Sequence, residues 1–239
     1  MATVVLLRHA RSTANGSGVL AGRSPGVELD PTGQKQAQAL VDRLAAVPLV
    51  AIVSSPLTRC EQTLAPLAAS RGLVVRTEPD LSEVDYGEWT NRELRSLFKE
   101  PLWTVVQQHP SAAVFPAGEG LAGVQARSVA AVRAHDARIT AEYGATAVWL
   151  LCSHGDVIKS ILADALGQHL DSFQRIVVDP ASVSVVRYTD TRPFVIRVND
   201  TGGELASIVP PKPDPEATPE ATAEAAAGDA TVGGSTGSQ

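Results

Sequence analysis

The stretch Val4–Asn15, VVLLRHARSTAN, decides how the rest of the chain is read. Its apolar run from Val4 to Leu7 suits a strand covered on both faces of a sheet. The run then stops in Arg8-His9 and turns polar through Arg11 to Asn15. A strand that only fills a core needs no such ending. A site at a strand's carboxyl end does, because ligands of open α/β sheets bind beyond the carboxyl ends of the strands.

Working outward, three further runs read as strands: Leu49 to Val53, Ala147 to Cys152 and Ser182 to Tyr188. Between them apolar residues recur at helical spacing: Ala37, Leu40, Val41 and Leu44, with Thr32 as the expected N-cap, then Leu57, Cys60, Leu64 and Leu67. A long stripe from Leu121 to Ile139 and a shorter one from Val157 to Ala165, stopped by Gly167, follow. The alternation predicts an α/β fold, a three-layer α/β/α sandwich around a mainly parallel sheet. The last two strands, SVSVVRY and PFVIRVN, read as an antiparallel hairpin at its edge. Residues 86–118, rich in Trp and Pro, fit neither period and are expected to insert as a small cap over the carboxyl ends of the strands.

Residues 1–208 are therefore expected to form one domain. Residues 209–239 are of another kind, almost without large apolar side chains. Such a segment buries too little surface to offset its ordering entropy and is expected to be a disordered tail. With one lysine against five acids it carries −4 of the chain's net −6. That charge argues against a nucleic-acid or membrane-surface partner, and no apolar run approaches the roughly 18 residues a spanning helix needs. Two cysteines, Cys60 and Cys152, are too few for a disulfide framework and point to a reduced, cytoplasmic setting.

The polar residues then converge. Arg8-His9 follows the first strand, Arg59 stands in the first helical turn after the second, and His154 follows the third. Guanidinium forks and helix N-termini suit phosphate or carboxylate oxygens. A histidine among arginines is held toward its neutral, nucleophilic form, and a second can donate to developing charge. Glu83 or Asp85, in LSEVDYGEW, could protonate a leaving group. Each residue alone also fits a surface ion pair or a core histidine; three strand ends acting together by accident is far less credible. A metal site built on His9, His154 and Asp156 lacks metal-motif spacing, and the two arginines would repel a cation. No cofactor is called for.

In order along the chain, LLRHARSTAN, LDPTGQKQAQAL, SSPLTRCEQT, LSEVDYGEW, PAGEG and LLCSHGDVI resemble the motifs of the histidine phosphatase superfamily, the phosphoglycerate-mutase-like proteins. The resemblance implies a metal-free phosphohistidine mechanism on a small-molecule phosphate ester, and it makes a homodimer plausible. His9 would be the nucleophile, with Arg8, Arg59 and His154 on the phosphoryl oxygens. Asn15 and Gly155 would share the phosphate pocket, and Glu83 would be the proton donor. Arg23, in a Gly/Pro loop, is a candidate substrate contact or a solvated loop arginine. Asp156 is left structural.

The sequence departs from the family pattern where Ala10 replaces the Gly usual after the histidine, and where Arg11 replaces a common Glu. The acid motif is apolar and acidic where the mutases are basic, and the insertion holds only Arg92, Arg95 and Lys99. Both features favour hydrolysis over a phosphoglycerate-type mutase. The alternative of another class is a catalytically silent phospho-ligand or protein-binding module, which would be expected to lack His9 or Glu83.

Overall fold

The structure is a computed structural model, and it describes residues 1–203 and Gly233. Strand β1 (Thr3–Arg8) is followed by a short helix α1 (Thr13–Ser17) and then α2 (Pro31–Arg43). Next come β2 (Leu49–Ser54), α3 (Thr58–Arg71) and β3 (Val75–Thr77). Two small helices, α4 (Leu94–Leu97) and α5 (Pro101–Gln108), lie in the insertion. The chain continues through α6 (Leu121–Tyr143), β4 (Val148–Ser153), α7 (Gly155–Ala165), β5 (Val183–Arg187) and β6 (Phe194–Asp200). The sheet order is β3-β2-β4-β1-β5-β6. The first four strands run parallel, and β5 and β6 add antiparallel. This is the expected sandwich with its closing hairpin.

Alternation across the pleat sorts the central strands onto two cores. Val4 and Leu6 of β1, with Trp149 and Leu151 of β4, face the core shared with α6, α7 and the insertion. Val5, Leu7, Leu150 and Cys152 face the core under α2 and α3. Both central strands are thus buried on both faces, which is why they read as unbroken apolar runs.

The insertion forms its own aromatic cluster rather than a loose flap. Trp89 stacks on Trp103 at 6.3 Å between centroids, meets Phe115 at 5.3 Å, and Phe98 packs on Trp103 at 4.7 Å. Gly87, at φ +51°, opens this segment; a Cβ there would lie 2.0 Å from the Pro116 carbonyl oxygen. Only glycine fits so close a crossing.

Two local expectations fail. The N-cap of α2 is Asp30, whose Oδ1 accepts from the Gly33 N–H at 2.8 Å, and not Thr32. Pro31 takes the first helical position, where its missing N–H costs nothing, so the helix starts earlier than the apolar stripe suggests. The three-residue β3 was not foreseen, because only one of its residues is even half-buried and so no apolar run marks it. No helix among the described residues is long and apolar enough to cross a membrane. Of the expected tail, Gly233 alone is described; the remainder of that call lies outside the described residues.

Candidate active site

Strands β1 and β4 are neighbours in register, Arg8 opposite Ser153, so His9 and His154 leave the sheet side by side. Their ring centroids are 5.2 Å apart. Ser54, at the end of β2, pairs with Cys152 on the other side of β4, which brings the start of α3 and Arg59 to the same edge. Three strand ends separated in sequence thus become three adjacent ones. A second anchor fixes the floor: the Ala10 N–H donates to Thr63 Oγ1 at 2.9 Å, and Ser153 Oγ donates to the Leu81 carbonyl at 2.7 Å. The second of these ties β4 to the loop that carries Glu83.

The two histidines are poised differently. His9 lies 2.8 Å through Nδ1 from the Ala10 carbonyl, which can only accept, so Nδ1 carries the proton and Nε2 the lone pair. Arg59 Nε donates to that Nε2 at 3.2 Å. His154 receives Arg59 Nη2 on Nδ1 at 3.1 Å, and its Nε2 lies 2.7 Å from Ser55 Oγ. Arg59 completes its set with the Gly22 carbonyl at 2.9 Å. Burial, then the Arg59 and Arg8 charges, hold His9 well below the usual histidine value. Burial followed by Arg59 does the same for His154. Both rings are neutral near pH 7.

Glu83 is shifted the other way. Its side chain is 3% exposed, and burial first, then the charge of Asp156, push its carboxyl up to about 7 against the pull of Arg59 and Arg8. Its backbone is clamped from outside: Arg23 Nε and Arg127 Nη2 both donate to the Glu83 carbonyl, at 2.8 and 3.2 Å. The same two arginines pair with Glu119, at 2.8 and 3.0 Å.

His9, Arg59, Glu83, Asn15, Ser12 and Tyr86 all line one narrow pocket of about 30 Å³. Asn15 Oδ1 accepts from the Ser12 N–H and Oγ–H as a capping box of α1, which leaves its amide N–H₂ as the donating end. The other walls come from Ala14, Val19, Leu20, Ala21, Gly22, Leu94 and Gly233. His154 stands behind Arg59, fully buried. Gly155 opens α7 beside it. Arg8 is also fully buried, its Nη1 donating to the Val178 carbonyl at 2.7 Å and its Nη2 to the Gly233 carbonyl at 3.1 Å. Arg23 is turned toward Glu119 and the Glu83 carbonyl and lies outside the pocket lining.

Several residues of the site were not singled out from sequence. Ser55 and Thr63, in SSPLTRCEQT, orient His154 and the Ala10 backbone. Glu119 and Arg127 brace the acid loop. Tyr86, fully buried, donates to Asp156 Oδ2 at 2.8 Å. Short polar side chains beside a strand end were the available signal, yet the same residues are ordinary in any turn. Of the insertion's helices, Leu94 alone reaches the pocket; Leu97 and Trp103 pack in the core. No group of three or more His, Cys, Asp or Glu among the described residues is arranged to hold a metal ion.

The family model described as the histidine phosphatase superfamily (branch 1) matches residues 4–201. The chain is 29% identical over 207 residues to phosphoserine phosphatase 1 of Hydrogenobacter thermophilus, covering 84% of this chain and 93% of that protein. It is also 29% identical over 193 residues to a probable phosphoglycerate mutase, GpmB, of Yersinia enterocolitica, covering 80% and 87%. The α-ribazole phosphatase of Shigella flexneri superposes with a TM-score of 0.72 at 25% identity, over 83% of this chain and 96% of that one. Over 80 residues the chain is 46% identical to an uncharacterized protein of Mycobacterium tuberculosis, a match that spans 34% of this chain and about two fifths (39%) of that relative.

Proposed function

Because the chain belongs to branch 1 of the histidine phosphatase superfamily, we propose that it hydrolyses a small phosphate monoester without a metal, through a phosphohistidine on His9. One observation carries the reading: a neutral His9 with its lone pair on Nε2 shares a narrow pocket with a buried carboxyl group raised to about 7. A nucleophile and an acid set apart in this way are what ester cleavage needs.

In the first step His9 Nε2 forms the bond to phosphorus as the ester P–O bond breaks. The proton of Glu83 goes to the leaving oxygen, so the alcohol departs neutral. In the second step Glu83, now a carboxylate, takes a proton from water whose oxygen attacks phosphorus. The N–P bond breaks, inorganic phosphate leaves, and His9 and Glu83 regain their starting states. Arg59 already touches both histidines, so a phosphoryl group that displaces it from His9 stays within reach of its fork. The Ser55 hydroxyl both donates and accepts, so His154 can move its proton to Nδ1 and donate to a phosphoryl oxygen. Arg8, behind the pocket, adds fixed positive charge, and the Asn15 amide a neutral donor.

Hydrolysis is favoured over transfer to a second phosphorylated substrate by the pocket walls. Beyond His9, Arg59, Glu83 and Asn15 they carry no charged side chain, and Arg92, which pairs with Glu100 at 2.7 Å, Arg95 and Lys99 all lie outside the lining. Nothing there among the described residues would hold a second anion. The test is phosphate release from phenyl phosphate in excess EDTA by the full chain and by His9→Ala. Release that resists EDTA and needs His9 supports the reading. Interconversion of phosphoglycerate isomers without net release would identify a mutase instead. Binding of phosphate esters without turnover would leave the silent-module reading.

A further inference from the structure

We propose that Asp156 is a positioning residue for this reaction, set behind the pocket to hold Tyr86 and so to tie the loop that carries Glu83 to the helix that follows His154. The inference rests on the phosphatase reading above.

Asp156 is the second residue of α7, two positions after His154, and it is fully buried. Its Oδ2 accepts from the Tyr86 hydroxyl at 2.8 Å and from the Gly233 N–H at 2.9 Å. Its Oδ1 has no hydrogen bond among the described residues and lies 3.8 Å from Lys159 Nζ, one helical turn on. Lys159 is buried as well, donating to Gln174 at 3.0 Å and lying 5.5 Å over the Phe173 ring, away from the pocket. Stability alone does not account for such a pair, because well-packed apolar side chains of similar volume commonly do as well or better.

The connection it makes is to the acid. Tyr86 lies three residues after Glu83 on one loop, lines the pocket, and packs edge-on against Phe115 at 4.9 Å. The Asp156–Tyr86 bond therefore ties the helix that follows His154 to the loop that carries Glu83. The charges acting on Glu83 come from three elements. Arg8 from β1 and Arg59 from α3 favour its ionised form, whereas Asp156 from α7 opposes it. Lys159 interacts from beyond Asp156, and Tyr86 stands neutral on the acid's own loop. Arg23 and Arg127 are spent on its backbone carbonyl and on Glu119. His9 and His154 are neutral. With burial, Asp156 is what offsets two guanidinium groups and leaves the acid a proton to give.

The experiment compares the pH dependence of kcat/KM for phenyl phosphate, in EDTA, among the full-length wild type, Asp156→Asn and Lys159→Met. Removing the Asp156 charge is expected to move the alkaline limb down by about one pH unit. Removing its countercharge moves the limb up. With p-nitrophenyl phosphate, whose leaving group needs little protonation, both changes in rate shrink. A merely structural pair would lower stability or rate in both variants and leave the limb in place; coincident limbs, or limbs moving the same way, overturn the proposal. If Asp156→Asn fails to fold by circular dichroism, the upward move in Lys159→Met decides alone. A wild type with no EDTA-resistant, His9-dependent release would overturn the phosphatase reading and this inference with it.

Discussion

His9 and His135 look alike by every crude measure. They are 3% and 5% exposed, and each has an arginine donating to one ring nitrogen. The difference lies on the other nitrogen. His9 spends Nδ1 on the neutral Ala10 carbonyl, whereas His135 gives its Nε2–H to the Glu78 carboxylate at 2.9 Å. A carboxylate partner anchors a ring at the core edge, with both nitrogens engaged away from the pocket. A carbonyl partner fixes the tautomer and leaves a lone pair aimed at the pocket. Burial therefore does not separate the two rings; the partner on the second nitrogen and the pocket beside His9 do.

The contrast breaks most sharply at the ring itself. His9→Ala is expected to abolish phosphate release, on the order of 10⁶-fold as for loss of an enzymatic nucleophile, while His135→Gln leaves kcat/KM within about twofold. Stopped assays of released phosphate check both. An active His9→Ala enzyme would end the phosphohistidine mechanism.

Next in size is the acid. Glu83→Gln should lower kcat/KM for phenyl phosphate about 10²–10⁴-fold and lower it much less for p-nitrophenyl phosphate, since only the poorer leaving group needs the proton. Equal losses on the two esters would mean that Glu83 does not protonate the leaving group.

The pH profile sharpens the same comparison. His9 must be neutral, and burial with Arg59 lowers its value, so activity persists below the usual histidine range. Glu83 must be protonated at the start, so kcat/KM falls as pH rises through about 7. The optimum is expected on the acid side of neutrality. A rate still rising from pH 7 to 9 would contradict this assignment.

The smallest effect belongs to His135. Burial pushes the Glu78 carboxyl up, but the His135 hydrogen bond and nearby backbone and charges outweigh it and hold the group below its ordinary value. A lowered acid contributes stability above its unfolded value, and that contribution is lost as pH falls through the lower folded one. His135→Gln should therefore cost about 1 kcal/mol near neutrality and progressively less below pH ~4.5. Urea unfolding at several pH values reads it; a pH-independent loss would show that packing, not the pair, is at stake.

Much of this molecule was legible in its sequence, for identifiable reasons. Strands β1 and β4 are buried on both faces, so apolar runs mark them, and the abrupt Arg8-His9 and Ser153-His154 endings mark where they stop. The hairpin of β5 and β6 followed from two short runs at the chain's far end. Thr32 was mistaken for a cap because Asp30 precedes a proline and looks like part of a turn. Arg23, a candidate contact, pairs with Glu119 and donates to the Glu83 carbonyl, partners no local stretch of sequence discloses. Ser55 and Thr63 gave no distinctive signal, since their hydrogen-bond partners lie as far away as positions 154 and 10.

The sequence by itself determined the alternating architecture, the delivery of histidine and arginine to strand ends, and the order of the family motifs, because periodicity and side-chain chemistry are local properties. The tertiary structure decided that β1, β4 and β2 are adjacent, which nitrogen of His9 holds the lone pair, and why the Glu83 carboxyl is raised. Those depend on burial and on charges brought together across more than a hundred residues, and neither is written in any one stretch of chain.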